Sequence, residues 1–131
     1  MPMEPLVRDL MTRHVITCRR DTPIPQVARI LRDAKVSALA VVDDEGMLEG
    51  LISQTDLMTL RAHDEYWQGL CAEHVMIKKV ICVTPDTLLR DALSLLLLHK
   101  IHRVFVVEDC DQRSRALGVL SITDVVADMA G

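Results

Sequence analysis

Internal duplication constrains this chain more than any other feature. Val15-Ile-Thr recurs as Val80-Ile-Cys, Asp21-Thr22 as Asp86-Thr87, and Lys35 as Lys100. Val41-Val42-Asp43-Asp44 recurs as Val106-Val107-Glu108-Asp109. After a three-residue gain in the second copy, Gly50-Leu-Ile-Ser-Gln-Thr-Asp56 matches Gly118-Val-Leu-Ser-Ile-Thr-Asp124. The lead-ins agree too, with Met11 before the first copy and Met76 before the second. An ordered series of matches with one small gap marks a repeat architecture. A repeat of about 60 residues is marginal alone, so two copies are expected to share an apolar layer.

Each copy reads β-α-β-β-α. The first β-segments fall near 14–17 and 80–83. Helices follow, with Asp21-Thr22-Pro23 and Asp86-Thr87 as their starts: Thr22 suits the cap and Pro23 the first helical position. Val27, Ile30, Leu31 and Ala34 share one face of the first helix; Ala92, Leu95, Leu96 and His99 share the matching face of the second. Two β-runs come next, at 39–43 with 48–52 and at 104–108 with 116–120. The turn at Asp43–Gly46 joins the first pair, and a longer polar loop, 109–115, joins the second. Closing helices are predicted over 55–62 and 123–130. The predicted organisation is one copy over 7–62, a connector over 63–70 and the other copy over 71–130. The fold class is α/β (α+β), with the copies expected to pack sheet to sheet about a pseudo-twofold axis.

Charge and composition remove several function classes. Fifteen Lys plus Arg stand against nineteen Asp plus Glu, a net charge of −4, which leaves no basic footprint for nucleic acid. Aromatic residues amount to 2% of the chain, too few for a base-stacking platform. The apolar run Leu93–Leu98 is too short for a membrane span, and the N-terminus lacks the basic and apolar regions of a signal peptide. A cytoplasmic protein is therefore expected. Cys18, Cys71, Cys82 and Cys110 form no CxxC pair and are expected as reduced thiols. Cys71-Ala-Glu-His74 would need its side chains to converge before it could hold a metal, and no metal site is assigned. No nucleophile elbow, Walker loop or HExxH motif is present, so no catalysis is expected.

The repeat pattern resembles the CBS domain family, as a tandem pair or Bateman module, from Val7 to Met129. The resemblance rests on Val7-Arg-Asp-Leu-Met11, the Asp-Thr helix starts, the strands ending at Asp43 and Glu108, and two Gly-x-x-Ser-x-Thr-Asp segments. It implies a regulatory module that senses AMP, ADP, ATP or S-adenosylmethionine, with no cofactor required. It also implies a flat homodimer. Lys100-Ile-His-Arg103 is similar to the phosphate-contacting stretch in the γ subunit of AMP-activated protein kinase, which has four repeats. Departures are plain. Ala40 and Phe105 stand where many members carry proline, Cys82 stands where the first copy has Thr17, and Ser37-Ala38 stands where the second has His102-Arg103.

The residue chemistry agrees with that resemblance. Ser53-Gln-Thr55-Asp56 and Ser121-Ile-Thr123-Asp124 sit where a strand meets a helix, a junction whose free N–H groups favour phosphate. An ionised Asp only accepts hydrogen bonds, so Asp56 and Asp124 suit the hydroxyls of a ribose. Hydroxyls, His102 and Arg103 suit a phosphate. The same Ser-x-x-Asp pattern is also a capping box, and the two roles can coexist. Thr17 and Cys82 lie at the matching β-edges. Ile16, Leu39 and Ile52, with Ile81, Val104 and Leu120, either line an adenine slot or form the core. The second-copy set (Cys82, His102, Arg103, Ser121, Thr123, Asp124) is the stronger candidate. The first-copy set (Thr17, Ser53, Thr55, Asp56) is the weaker one. A ligand signal is expected to pass to a separate effector protein. The alternative is a ligand-free interaction scaffold, favoured if Phe105 and Cys82 fill the clefts. The run Leu95–Leu98 is more apolar than one helix face needs, which fits either a core helix or a self-association surface.

Overall fold

The computed structural model describes residues 4–131. It contains two compact units, and neither is one sequence repeat. One unit is Ile16–Val80; the other joins residues up to Val15 with Ile81–Gly131.

The contiguous unit begins with β1 (Thr17–Cys18), crosses through α2 (Ile24–Ala34) and returns in β2 (Ala38–Val42) parallel to β1. The first helix of the chain, α1 (Val7–Leu10), belongs to the other unit. Strand β3 (Leu48–Ser53) pairs antiparallel with β2, and α3 (Gln54–His63) follows directly. The sheet order is β1-β2-β3, which is a β-α-β crossover plus a hairpin. The hairpin turn works as its sequence predicts. Asp43 Oδ1 accepts the N–H groups of Glu45 and Met47, both at 2.9 Å, and Gly46 takes φ +82°.

The discontinuous unit repeats this plan. It contains β4 (Cys82–Val83), α4 (Leu89–His99), β5 (Arg103–Val107), β6 (Ala116–Ser121) and α5 (Ile122–Ala130), with sheet order β4-β5-β6. Even the bulges match, at Val41/Val42 and Val106/Val107.

Helix boundaries differ from the sequence expectation in a consistent way. Thr22 and Thr87 do not cap α2 and α4; the capping positions are Pro23 and Leu88, with no side-chain bond. The threonine hydroxyls instead close the preceding turns, accepting from Arg19 N at 3.0 Å and Thr84 N at 3.1 Å. Both helices end on a left-handed lysine, Lys35 (φ 56°) and Lys100 (φ 54°). Val36 N–H then bonds Leu31 O at 3.2 Å, and Ile101 N–H bonds Leu96 O at 3.1 Å. Those bonds, with Val36 and Ile101 packed on the core, make a Schellman termination in each copy. The opening strands are also shorter than expected, two residues each, because only Thr17–Cys18 and Cys82–Val83 find a parallel partner.

Each unit has its own core. Cys18, Val27, Leu31, Leu39, Val41 and Ile52 form one cluster, and Met76 packs against it. Val7, Met11, Val83, Leu96, Val104 and Leu120 belong to the other. Leu39, Ile52, Val104 and Leu120 are therefore core, and Ile16 and Ile81 are partly buried against it. His99 is exposed rather than on the buried face of α4, where Ala92 and Leu96 lie.

The lead-ins pack on the copy that they do not precede. Thr12 pairs antiparallel with Val119 of β6, and Ile77 pairs with Leu51 of β3. Gly118 and Gly50 permit this close approach. A Cβ at Gly118 would stand 2.6 Å from Thr12 O, and one at Gly50 would stand 2.8 Å from Ile77 O.

Burial of Cys18 has a consequence for pH. Desolvation pushes its thiol up to about 11, against a smaller lowering by the Thr22 side-chain hydrogen bond. The unfolded thiol ionises near its ordinary value of 9.0, so the folded chain holds the proton longer. Stability is then complete below about pH 9 and falls between pH 9 and 11. Urea midpoints across that window should drop more for the wild type than for Cys18→Ala. Parallel curves would show that Cys18 does not carry the effect.

Candidate functional site

The strand-to-helix junctions carry the candidate residues, and each junction lies within one unit. At β6–α5, Ser121 is the cap of the helix: its Oγ accepts from Asp124 N at 3.2 Å. Asp124 Oδ2 in turn accepts from Ser121 N at 3.0 Å, a reciprocal capping box. Asp124 Oδ1 accepts from the Thr12 hydroxyl at 3.3 Å. Thr12 reaches this place because the lead-in is paired to β6; sequence reading had no local signal for it. Register places Arg103 opposite Ser121, and Ile122 N–H bonds His102 O at 2.9 Å. Arg103, His102, Ser121, Thr123 and Asp124 thus gather around one helix start. Arg103 is half-buried, and that burial holds its guanidinium below its ordinary pKa; it remains a cation. His102 and Thr123 are exposed.

Cys82 stands differently. It is disulfide-bonded to Cys110 of the 109–115 loop, with 6.0 Å between the Cα atoms. Reduced thiols were expected at both positions, and only Cys18 and Cys71 are free. The cause is local: the longer second loop carries Cys110 back beside β4, whereas the matching turn in the first copy is short. A disulfide persists in an oxidising compartment and is elsewhere a redox-active pair. Cys82 therefore offers a ligand no free thiol.

At β3–α3 the same box forms. Ser53 Oγ accepts from Asp56 N at 3.2 Å, while Asp56 Oδ2 accepts from Ser53 N at 2.8 Å and from its hydroxyl at 2.9 Å. Asp56 Oδ1 takes no part in the box. Thr55 is exposed, its carbonyl accepting the Thr59 hydroxyl at 2.9 Å. Thr17 is exposed on β1, in register with Ala40. No cation stands where the second copy has Arg103, since the matching residue is Ala38. The two clusters therefore differ in charge as their sequences predict.

The CBS domain profile matches residues 7–63 and again 72–131. The chain belongs to the CBS domain family. Its two motifs make it a CBS pair, in agreement with the expected recognition and mixed α/β fold. The CBS pair of protein MJ0100, solved with 5′-methylthioadenosine and S-adenosyl-L-methionine, is similar at 25% identity and TM-score 0.87, covering 98% of both chains. CBSX2, solved in complex with AMP, is similar at 28% identity and TM-score 0.83, covering 95% of this chain and 96% of that one. Among curated proteins, inosine-5′-monophosphate dehydrogenase of Methanocaldococcus jannaschii is 25% identical over 118 residues, 90% of this chain and 22% of its own length. The γ-3 subunit of 5′-AMP-activated protein kinase of Sus scrofa is 28% identical over 111 residues, 79% of this chain and 21% of its own. The chain thus spans about a fifth of the curated relatives it matches. Among the described residues, no helix is long and apolar enough to cross a membrane.

Proposed function

We propose that this CBS pair is a regulatory module that binds an adenosine-containing ligand and modulates a separate effector protein. The observation that carries the reading is the convergence of Arg103, His102, Ser121, Thr123 and Asp124 on the start of α5. The helix start, the Arg103 guanidinium and the His102 imidazole suit a phosphate, or in S-adenosylmethionine a carboxylate. Asp124 suits ribose hydroxyls through Oδ1, with Thr12 giving up its 3.3 Å bond. The complexes of MJ0100 and CBSX2 support the class of ligand. The weaker candidate is the Thr17, Ser53, Thr55, Asp56 set, which lacks the guanidinium. A homodimer fits the pair as well. Leu97 and Leu98 of α4 are 79% and 75% exposed, while Leu96 is buried.

A scaffold that binds no nucleotide is the second reading. It is favoured by the full burial of Phe105 and by the loss of the free Cys82 thiol. Calorimetric titration with AMP, ADP, ATP and S-adenosylmethionine separates the two. Saturable binding should weaken at least tenfold in Asp124→Ala and less in Asp56→Ala. Both variants should lose about 1 kcal/mol of stability with the cap. Heats indistinguishable from dilution for all four ligands would establish the scaffold instead.

A further inference from the structure

The turn that leads into the second copy carries a thiol and a carboxylate, Cys71 and Glu73, beside its capping imidazole, and the nucleotide reading uses none of the three. Cys71 Sγ lies 3.7 Å from Glu73 Oε1 and 3.4 Å from His74 Nδ1. All three donor atoms fall within 4.8 Å of one another. We propose that Cys71, Glu73 and His74 form a surface site for a borderline-soft divalent cation of the zinc type, completed by water.

Geometry is the first argument. Tetrahedral zinc holds sulfur at about 2.3 Å and nitrogen or oxygen at about 2.0 Å, which sets neighbouring donors about 3.5 Å apart. The sulfur-to-nitrogen and sulfur-to-oxygen separations here, 3.4 and 3.7 Å, lie on either side of that edge length. Thiolate with imidazole selects zinc-type ions over magnesium or calcium.

The duplication supplies an internal control. The matching turn before the first copy carries Leu6, Arg8 and Asp9 in place of Cys71, Glu73 and His74. There Asp9 Oδ2 accepts Leu6 N–H at 2.8 Å; here His74 Nδ1 accepts Cys71 N–H at 3.1 Å. The fold asks this turn for one capping acceptor and one buried small side chain, Val7 or Ala72. The thiol is surplus to that requirement, and the acceptor here is an imidazole where the first copy uses a carboxylate.

The turn is also held in place before any ion arrives. Ala72 N–H bonds Thr22 O and Glu73 N–H bonds Arg20 O, both at 2.9 Å. Glu73 and His74 open onto a surface depression shared with Arg20, Glu49, Met76 and Lys78. Arg20 is paired with Glu49 and also lies near Glu73, and Lys78 is the other cation lining the depression. Partial desolvation, then Glu73 and Asp21, hold the Cys71 thiol above its ordinary pKa, against one lowering backbone bond at Glu73. Coordination forms the sulfur–metal bond, breaks S–H and releases that proton to solvent. His74 Nδ1 exchanges its bond from Cys71 N–H for the ion, with the ring proton on Nε2.

Cobalt(II) alone is the probe. One equivalent should give a thiolate-to-cobalt charge-transfer band that added zinc(II) abolishes. Cys71→Ser should lose the band, and His74→Gln, which keeps a capping acceptor, should bind at least tenfold more weakly. In the wild type, zinc(II) should slow alkylation of Cys71 at least tenfold, a readout that needs no variant to fold. A band that survives Cys71→Ser, or an alkylation rate unchanged by zinc, would overturn the site.

Discussion

Gly118→Val should lower the melting temperature by roughly 10 °C or more, the equivalent of about 3 kcal/mol in a domain of this size. The new Cβ would stand 2.6 Å from the Thr12 carbonyl oxygen and 3.2 Å from Met11 Sδ. A carbonyl in a paired segment cannot step aside as a flexible side chain would. The Thr12 and Val119 N–H groups each bond the other residue's carbonyl at 2.9 Å, and both bonds would be lost. Val7 and Met11 would leave the core with them. Asp124 Oδ1 would lose the Thr12 hydroxyl, so the candidate site would be disturbed as well. Gly69→Ala is the control, because a Cβ there meets nothing within 4 Å. Thermal unfolding followed by circular dichroism reads both. An unchanged melting temperature in Gly118→Val would show that the lead-in does not pair with β6 in solution.

Leu39→Ala should cost about 3 kcal/mol, within the usual 2–5 kcal/mol for a buried leucine. Leu39 is fully buried in β2, in one cluster with Val27, Leu31 and Ile52. The mechanism is opposite to that at Gly118: a cavity replaces matter instead of a clash adding it. Sheet and helix surround the position, so collapse recovers only part of the lost contact. Leu97→Ala, at a leucine that is 79% exposed, should stay within about 0.5 kcal/mol. Urea unfolding of the two variants checks this. Equal midpoints would mean that Leu39 is not the core residue its burial indicates.

Most of the secondary structure was legible because it is written twice. Periodicity placed Val27 and Leu31 on the buried face of α2, and the turn residues at Asp43–Gly46 placed the hairpin. The capping boxes at Ser53 and Ser121 were legible for the same reason, since both partners sit three residues apart. What local reading could not reach depends on distant partners. Thr22 and Thr87 look like caps, yet their hydroxyls are taken by the turns before them. Cys82 and Cys110, 28 residues apart, show no paired spacing and meet only because a loop folds back. The lead-ins match each other, but nothing in either says which sheet it joins. A faint signal existed in Gly50 and Gly118, whose missing Cβ atoms mark where another backbone passes. The candidate site was half legible: its residue types were read, but the Thr12 bond to Asp124 and the use of His74 as a cap required coordinates.

The order of the two units along the chain also dictates an order of events. The contiguous unit, Ile16–Val80, is complete as soon as Val80 has left the ribosome. The strand that must receive Thr12 is made only after that whole unit, because Val119 lies beyond Val80. The Thr12 segment therefore waits for a partner that follows the whole contiguous unit in the chain. Long closures of this kind are slow relative to local ones. During that interval Val7 and Met11 are apolar groups without their core, the stage at which a nascent chain is most open to aggregation and to chaperone capture.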